Sequence, residues 1–345
     1  MFPLLVGLLI FLAAVLIFIF IGGPKLPPDT DAIIDEVINS ELPEMIVGET
    51  GFASSDGLSI WYERLSPEGS SKGVVLLLMG MGGNALFWPP KFMRGFLEAG
   101  YQVIRYDHRG TGMSDWVENW DRKNPYAVAD MARDVVAVLD ALQVERAHLV
   151  GLSMGGMVAQ ELAIQQPART ASLTLMMSSG FVGDPDLPSL STRYFVGSAI
   201  KGLPLLKYRW LGGEKNLIKE IIAKHVAALG YNQLDVREQA EVVLYGLRRR
   251  RGINLRGAMQ HFTAVTISGS RHEKLKLLNV PTLIIHGTAD QMMPVEHGRK
   301  LAATIPNAKA LWLEGLGHIF PVPDMAKLIK NITDHLEAAD SAKSG

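Results

Sequence analysis

Ser153, Asp290 and His318 are the residues whose types and settings could carry nucleophilic chemistry in this chain. Ser153 lies in Gly151-Leu152-Ser153-Met154-Gly155-Gly156, between a strand-like apolar run and a helix-like segment. A serine on a sharp strand-to-helix turn needs small residues two before and two after it, because larger side chains would collide across the turn. The turn lifts the hydroxyl out of the sheet and places a helix N-terminus beside it, which favours developing negative charge. A serine hydroxyl is a poor nucleophile until a base takes its proton, and the base needs a group to orient it. With this serine setting the acid and then the histidine come later in the chain, each just after a late strand. Asp290, in the turn His286-Gly287-Thr288-Ala289-Asp290, and His318, in Glu314-Gly315-Leu316-Gly317-His318, occupy those places, and Gly315 and Gly317 permit a tight loop. Asp184, which follows the apolar run ending near Met177, is the alternative position for the acid. His286 and His297 flank Asp290 and read as packing or surface residues.

The chemistry these residues point to is acyl transfer through a tetrahedral intermediate, whose oxyanion needs two preorganised N–H donors. One candidate is the backbone of Met154, directly after the nucleophile. The other lies in Met79-Gly80-Met81-Gly82-Gly83-Asn84, where glycines let a substrate approach the backbone; Met81 N–H is the first choice, with Gly80 and Gly82 as alternatives. This chemistry calls for no cofactor and no metal. The chain has no cysteine, which excludes a thiol nucleophile, disulfides, Cys-ligated metals and a lipid-modified Cys anchor. A formal net charge of -1 gives no reason to expect nucleic acid as a partner.

Elements must hold these residues at one edge, and the pattern supplies them. Glu49 to Leu65 reads as a hairpin turning at Ser55-Asp56-Gly57. Strand-like runs follow at 74–79, 102–106, 147–151, 172–177, 281–286 and 310–313, alternating with helix-like segments at 91–99, 127–142, 154–166, 295–304 and 324–336. Such alternation predicts an α/β fold with a mostly parallel sheet covered by helices on both faces. Between 181 and 277 the alternation breaks into mostly helical sequence, expected to cap the carboxyl edge of the sheet, where such folds bind ligands. The expected organisation is 1–23 anchor, 24–49 linker, 50–180 and 278–345 the two parts of the core, and 181–277 the cap.

Phe2 to Ile21 carries no charged or strongly polar side chain. Twenty residues at about 1.5 Å each match the roughly 30 Å of a hydrocarbon core, so a retained transmembrane anchor is expected, stopped by Gly22-Gly23-Pro24. No Lys or Arg precedes the run and no small-x-small site follows it, which argues against a cleaved signal. Lys25 alone is adjacent, so the side of the membrane is not assigned. The Pro-rich, acidic residues 24–50 read as a linker or short helix. Four successive arginines, Arg248 to Arg251, read as a solvated helix face or as a contact for anionic lipid headgroups. Phe87, Trp88, Met177 and Phe181 lie near the site loops and read as acyl-pocket lining or as plain core.

From about residue 50 to 338 the chain resembles the α/β-hydrolase superfamily. The resemblance is carried by GLSMGG around Ser153, by Tyr106-Asp107-His108-Arg109-Gly110-Thr111-Gly112-Met113-Ser114, by HGTAD around Asp290 and by GLGH around His318. The MGMGGN loop, the RYDHRGTGMSDW stretch and MMSSG at 176–180 look closest to the aclacinomycin methylesterase-like branch, and the apolar N-terminus is similar in architecture to membrane-bound monoacylglycerol lipases. Matched position by position, the resemblance implies Ser153 as nucleophile, Asp290 as acid and His318 as base. One departure is Met79-Gly80 where many members have His-Gly. The resemblance implies hydrolysis of a carboxylic ester, a small molecule, and the expected anchor and long cap favour a hydrophobic or lipid-like one. Perhydrolase, C–C hydrolase or acyltransferase chemistry on the same triad is the alternative.

Overall fold

The structure is a computed structural model that describes residues 2–188, 202–228, 234–318, 320 and 324–342. The side chains of residues 2–4, 8 and 228 are outside that description.

Apolar runs too short to make helices become the middle of an eight-stranded sheet. The strands are β1 (Glu49–Ser55), β2 (Leu58–Leu65), β3 (Val74–Leu78), β4 (Gln102–Tyr106), β5 (Ala147–Leu152), β6 (Thr170–Met176), β7 (Thr282–Gly287) and β8 (Lys309–Leu313). They lie in the order β1-β2-β4-β3-β5-β6-β7-β8. β1 and β2 form the expected hairpin, with positive φ at Asp56 and Gly57 in its turn; β2 also runs antiparallel to β4, and the remaining pairs are parallel. Along β3, Leu76 and Leu78 enter one core and Val75 and Leu77 the other, as a strand covered on both faces requires. The first core is closed by α4 (Val128–Ala141) and α5 (Met154–Gln165), the second by α3 (Pro90–Glu98) and the last helix, α12 (Met325–Ser341). The chain leaves β3 toward β4 on one side and β5 toward β6 on the other. Their carboxyl ends therefore flank a topological switch point, where an open α/β sheet has its crevice.

The segment between β6 and β7 begins with turns over 177–188 and is mostly helical in its described part beyond residue 202: α6 (Leu206–Leu211), α7 (Gly213–Ala228), α8 (Val236–Arg249), α9 (Leu255–Ile267) and α10 (His272–Leu275); α11 (Val295–Thr304) follows β7. The acidic N-terminal stretch does form a short helix, α2 (Thr30–Asn39). Its apolar face, Ile34 and Val37, is fully buried against Ile218 and Ile222 of α7 and Ala240 and Val243 of α8. Its acidic face meets lysines and an arginine of the same helices: Asp31 with Lys219 at 2.8 Å, Asp35 with Lys215 at 2.6 Å and Glu36 with Arg237 at 2.6 Å.

Residues 2–21 form the uncharged helix α1 (Phe2–Ile21). Its C-terminal carbonyls are capped by Lys207 of α6, whose Nζ donates to Phe20 O at 3.2 Å and Gly22 O at 3.0 Å. The expectation of a membrane-spanning helix is not met by the described residues, among which no helix is long and apolar enough to cross a membrane. The C-terminal end of α1 packs on the cap: Ile19 is buried, and the Phe20 and Trp210 rings lie 6.3 Å apart.

The arginine row meets the expectation of a solvated helix face only at Arg248 and Arg249, which are exposed. Only the first two positions belong to α8, and three of the four side chains turn onto protein. Arg248 pairs with Glu214 at 2.7 Å, Arg250 is buried against Asp107 and lies 4.2 Å over the Trp61 ring, and Arg251 lies 4.5 Å over Trp116. Arg250 and Arg251 tie cap to core and Arg248 joins two cap helices; Arg248 and Arg249 stay exposed as a solvated end of α8, and the buried Arg250 breaks the row that headgroups would meet. Asp107 is fully buried and accepts from Ala85 N and Met113 N, both at 2.8 Å. Burial pushes its carboxyl above the usual range, and Arg250 is the first of the groups opposing that rise. Arg250→Ala would strand this carboxylate. A loss of about 3 kcal/mol is expected in urea unfolding, the low end for breaking a buried pair, because Nε and Nη1 of Arg250 have no hydrogen-bond partner.

Candidate active site

Ser153 sits alone between the last residue of β5 and the first of α5, with φ 54° and ψ -117°. That backbone is strained for a residue with a Cβ, and the surroundings enforce it. Ser153 N–H donates to Met176 O at 2.8 Å, and Ser178 Oγ donates to Ser153 O at 2.8 Å. The glycines are small for a measurable reason. A Cβ on Gly155 would stand 2.0 Å from Leu78 O, one on Gly151 would stand 2.5 Å from Gly155 O, and one on Gly156 would stand 2.7 Å from Ser178 Oγ. Met154 opens α5, so its N–H is among those a helix leaves unpaired at its start.

The loop after β3 runs beside this serine: a Cβ on Gly80 would lie 3.5 Å from Ser153 Cβ. Gly82 N donates to His261 Nδ1 at 3.1 Å, and Gly83 N donates to Gly80 O at 3.2 Å. Met81 N–H has no hydrogen-bond partner among the described residues. Of the alternatives for the second donor, Gly82 is therefore engaged elsewhere.

Asp290 and His318 come from the loops after β7 and β8, and those loops are stitched together. Thr288 N donates to Leu313 O at 3.0 Å, Ala289 N to Leu316 O at 2.9 Å, and Gly315 N to Thr288 Oγ1 at 2.9 Å. Gly315 takes φ 69°, which the tight loop requires. The result is a 2.7 Å hydrogen bond from His318 Nδ1 to Asp290 Oδ2. The other carboxylate oxygen, Oδ1, accepts from Met292 N at 2.9 Å and Met293 N at 2.7 Å. Burial works to raise the Asp290 carboxyl, but His318, His286 and the Met293 N–H outweigh it and hold the group down to about 2. At neutral pH it is a carboxylate, as an orienting acid must be. Ser153 and His318 are not hydrogen-bonded in the described contacts; such bonds often tighten only with substrate bound.

Asp184, the alternative acid, is turned elsewhere: its Oδ2 lies 2.6 Å from Lys300 Nζ and 3.1 Å from His272 Nε2. His286 and His297 are packing residues, both fully buried; His286 Nε2 donates to Met293 O at 2.7 Å, while His297 bonds Ser179 Oγ at 2.8 Å and Pro188 O at 3.1 Å. Trp88 and Met177 are fully buried core residues, with Trp88 stacked on Phe92 at 5.4 Å. Phe87 and Phe181 are only partly buried. Thr288 and His261 escaped notice in the sequence. The first has no motif beyond the turn it sits in, and the second lies in the cap, whose register against the sheet no periodicity reports.

An eight-stranded sheet with a buried centre, a strained serine at its switch point and an Asp–His pair at its late loops define an α/β hydrolase. The chain belongs to that family: residues 73–323 match the alpha/beta hydrolase fold. It is similar to the rhodomycin D methylesterase DauP of Streptomyces sp. (strain C5), 29% identical over 305 residues that cover 84% of this chain and 99% of the relative. In three dimensions it is similar to an esterase of Exiguobacterium antarcticum, with a TM-score of 0.66 at 20% identity, covering 84% of this chain and 100% of the other. It is also similar to a bacterial membrane phospholipase A, with a TM-score of 0.66 at 20% identity, covering 98% of this chain and 99% of the other.

Proposed function

We propose that the protein is a serine esterase acting on hydrophobic carboxylic esters. Ser153 attacks the carbonyl, His318 takes the serine proton and returns it to the leaving alcohol, and Asp290 holds the imidazole. The N–H groups of Met81 and Met154 receive the oxyanion. An acyl-enzyme forms on Ser153, and water activated by His318 releases the acid. The single observation that carries this reading is the Asp290–His318 hydrogen bond of 2.7 Å, formed on loops that no local sequence feature joins. The ester-cleaving description of the methylesterase relative supports the reaction type.

Hydrolysis of p-nitrophenyl esters of increasing acyl length, by detergent-purified protein, tests the reading. The expected profile rises from acetyl toward medium or long chains. Turnover only in the presence of peroxide or an alcohol acceptor would replace hydrolysis by perhydrolase or acyltransferase chemistry on the same residues.

The hydrophobic substrate class rests on α1, whose side chains Leu9, Ile10, Phe11, Ile17 and Phe20 are exposed. A soluble surface gives such a helix nothing to bury against. In this reading residues 1–23 attach the enzyme to a membrane, close to lipid-like esters. The full chain should stay in the membrane pellet after alkaline carbonate extraction, and a chain lacking residues 1–23 should not. Equal release of both would remove the anchor from this reading.

A further inference from the structure

Two histidines that take no part in the proposed reaction hold the loop that offers the oxyanion donor. His108 lies just after β4, and its Nε2 is 2.8 Å from Met79 O. A carbonyl oxygen only accepts, so Nε2 carries the proton, and Nδ1 is left to accept from Tyr106 O–H at 2.9 Å. His261 comes from the cap helix α9. Its Nε2 is 2.7 Å from Arg109 O, so that nitrogen also carries the proton, which leaves Nδ1 as the acceptor for Gly82 N–H at 3.1 Å. The two rings meet edge to face at 5.8 Å. One histidine thus holds the first residue of Met79–Gly82 by its carbonyl and the other holds the last by its N–H, with Met81 N–H between them. Both rings are fully buried, and burial, named first among the causes, holds His108 down to about 3 and His261 to about 4. They are neutral at pH 7, which is the state this bonding needs.

The cap presses on the same spot. Gly82 has φ 70°, and a Cβ there would lie 2.9 Å from Ala258 Cβ on α9. The base of α9 is in turn fastened to the loop after β4: Asn254 Nδ2 donates to Gly110 O at 3.0 Å and Gln260 Nε2 to Val117 O at 2.8 Å. A hydrogen bond from the cap to Gly82 therefore sets the conformation of the peptide units on either side of Met81.

We infer that His261 is a positioning residue for the oxyanion loop, through which the cap helix α9 aims the Met81 N–H at the reacting carbonyl. The inference rests on the esterase reading above. It assigns His261 no contact with substrate; its effect passes through Gly82.

Two variants separate positioning from mere packing. In His261→Gln the amide can reach the Nε2 position and keep the bond to Arg109 O, but it leaves Gly82 N–H without its acceptor. In His261→Asn the side-chain oxygen takes the Nδ1 position and keeps Gly82, while Arg109 O is lost. Both give up the imidazole ring, so a purely structural role treats them alike. With p-nitrophenyl esters the Gln variant is expected to lose about 10²-fold in kcat with KM within about threefold, the size of losing one oxyanion donor. The Asn variant is expected to stay within about tenfold of wild type in kcat. Equal kcat losses in the two, a loss confined to KM, or no loss in the Gln variant would each overturn the inference.

Ser153→Ala in the same assay keeps the two readings apart. Retained activity there sinks the esterase reading itself, whereas an inactive alanine variant beside an unaffected Gln variant sinks only the role of His261. Should either variant fail to fold, 15N-histidine NMR of the wild-type protein decides. A neutral His261 ring at pH 7 with its proton on Nε2 is expected, and a proton on Nδ1 is incompatible with the bond to Gly82.

Discussion

Ser153→Ala is expected to lower kcat for p-nitrophenyl ester hydrolysis by at least ~10³-fold while the protein remains folded. The substitution removes only an oxygen, and the backbone of the turn is held by partners that do not involve it: Met176 O for the N–H and Ser178 Oγ for the carbonyl. The strained φ of 54° remains equally uncomfortable for alanine, so the melting temperature should move little. What disappears is the atom that forms the acyl-enzyme. Residual turnover should persist, because the N–H donors and the binding surface still favour attack by water. A loss of tenfold or less would show that Ser153 is not the nucleophile. A fluorophosphonate probe should label wild type at Ser153 and leave the alanine variant unlabelled.

Asp290→Asn is expected to cost about 10⁴-fold in kcat, the magnitude seen when an orienting carboxylate becomes an amide in a triad. The reason follows from the hydrogen bonds. Met292 N–H and Met293 N–H both point at Oδ1, so an asparagine must turn its carbonyl oxygen toward them. Its NH2 group then faces His318 Nδ1, which must become the acceptor, and the ring proton moves to Nε2. That is the nitrogen that has to take the serine proton, so the base is blocked by its tautomer rather than by misplacement. Asp184→Asn is the companion measurement. Its carboxylate pairs with Lys300 and His272, so kcat should stay within about twofold of wild type. If the Asp184 variant fell and the Asp290 variant did not, the assignment of the acid would be reversed.

Local signals gave the strands and helices to within a few residues. The helix expected at 295–304 is α11, and the strand expected at 102–106 is β4. Glycine spacing around Ser153 was legible because the clash it avoids is between residues at most four apart, Gly151 against Gly155. The second half of the arginine row is illegible for the opposite reason. A run of like charges carries no information about which way each side chain turns once the helix ends, and α8 ends at Arg249, just before Arg250, which buries itself on Trp61, and Arg251, which lies over Trp116 while staying exposed. Trp88 and Met177 were equally ambiguous, since an apolar residue near a site loop looks the same whether it lines a pocket or fills the core.

The sequence by itself determined the alternation that builds a parallel sheet, the elbow that bears Ser153, and the two loop positions at which an acid and a histidine can stand. These follow from contiguous residues, because periodicity and turn sterics act over a few positions. The tertiary structure decided which carboxylate meets His318, across 28 residues, and that a cap histidine holds Gly82, across 179. Bonds between such distant residues form only after sheet order and cap packing have brought two loops within about 3 Å, the reach of a hydrogen bond. Their geometry is therefore written in the packing of the whole core and not in any stretch of chain.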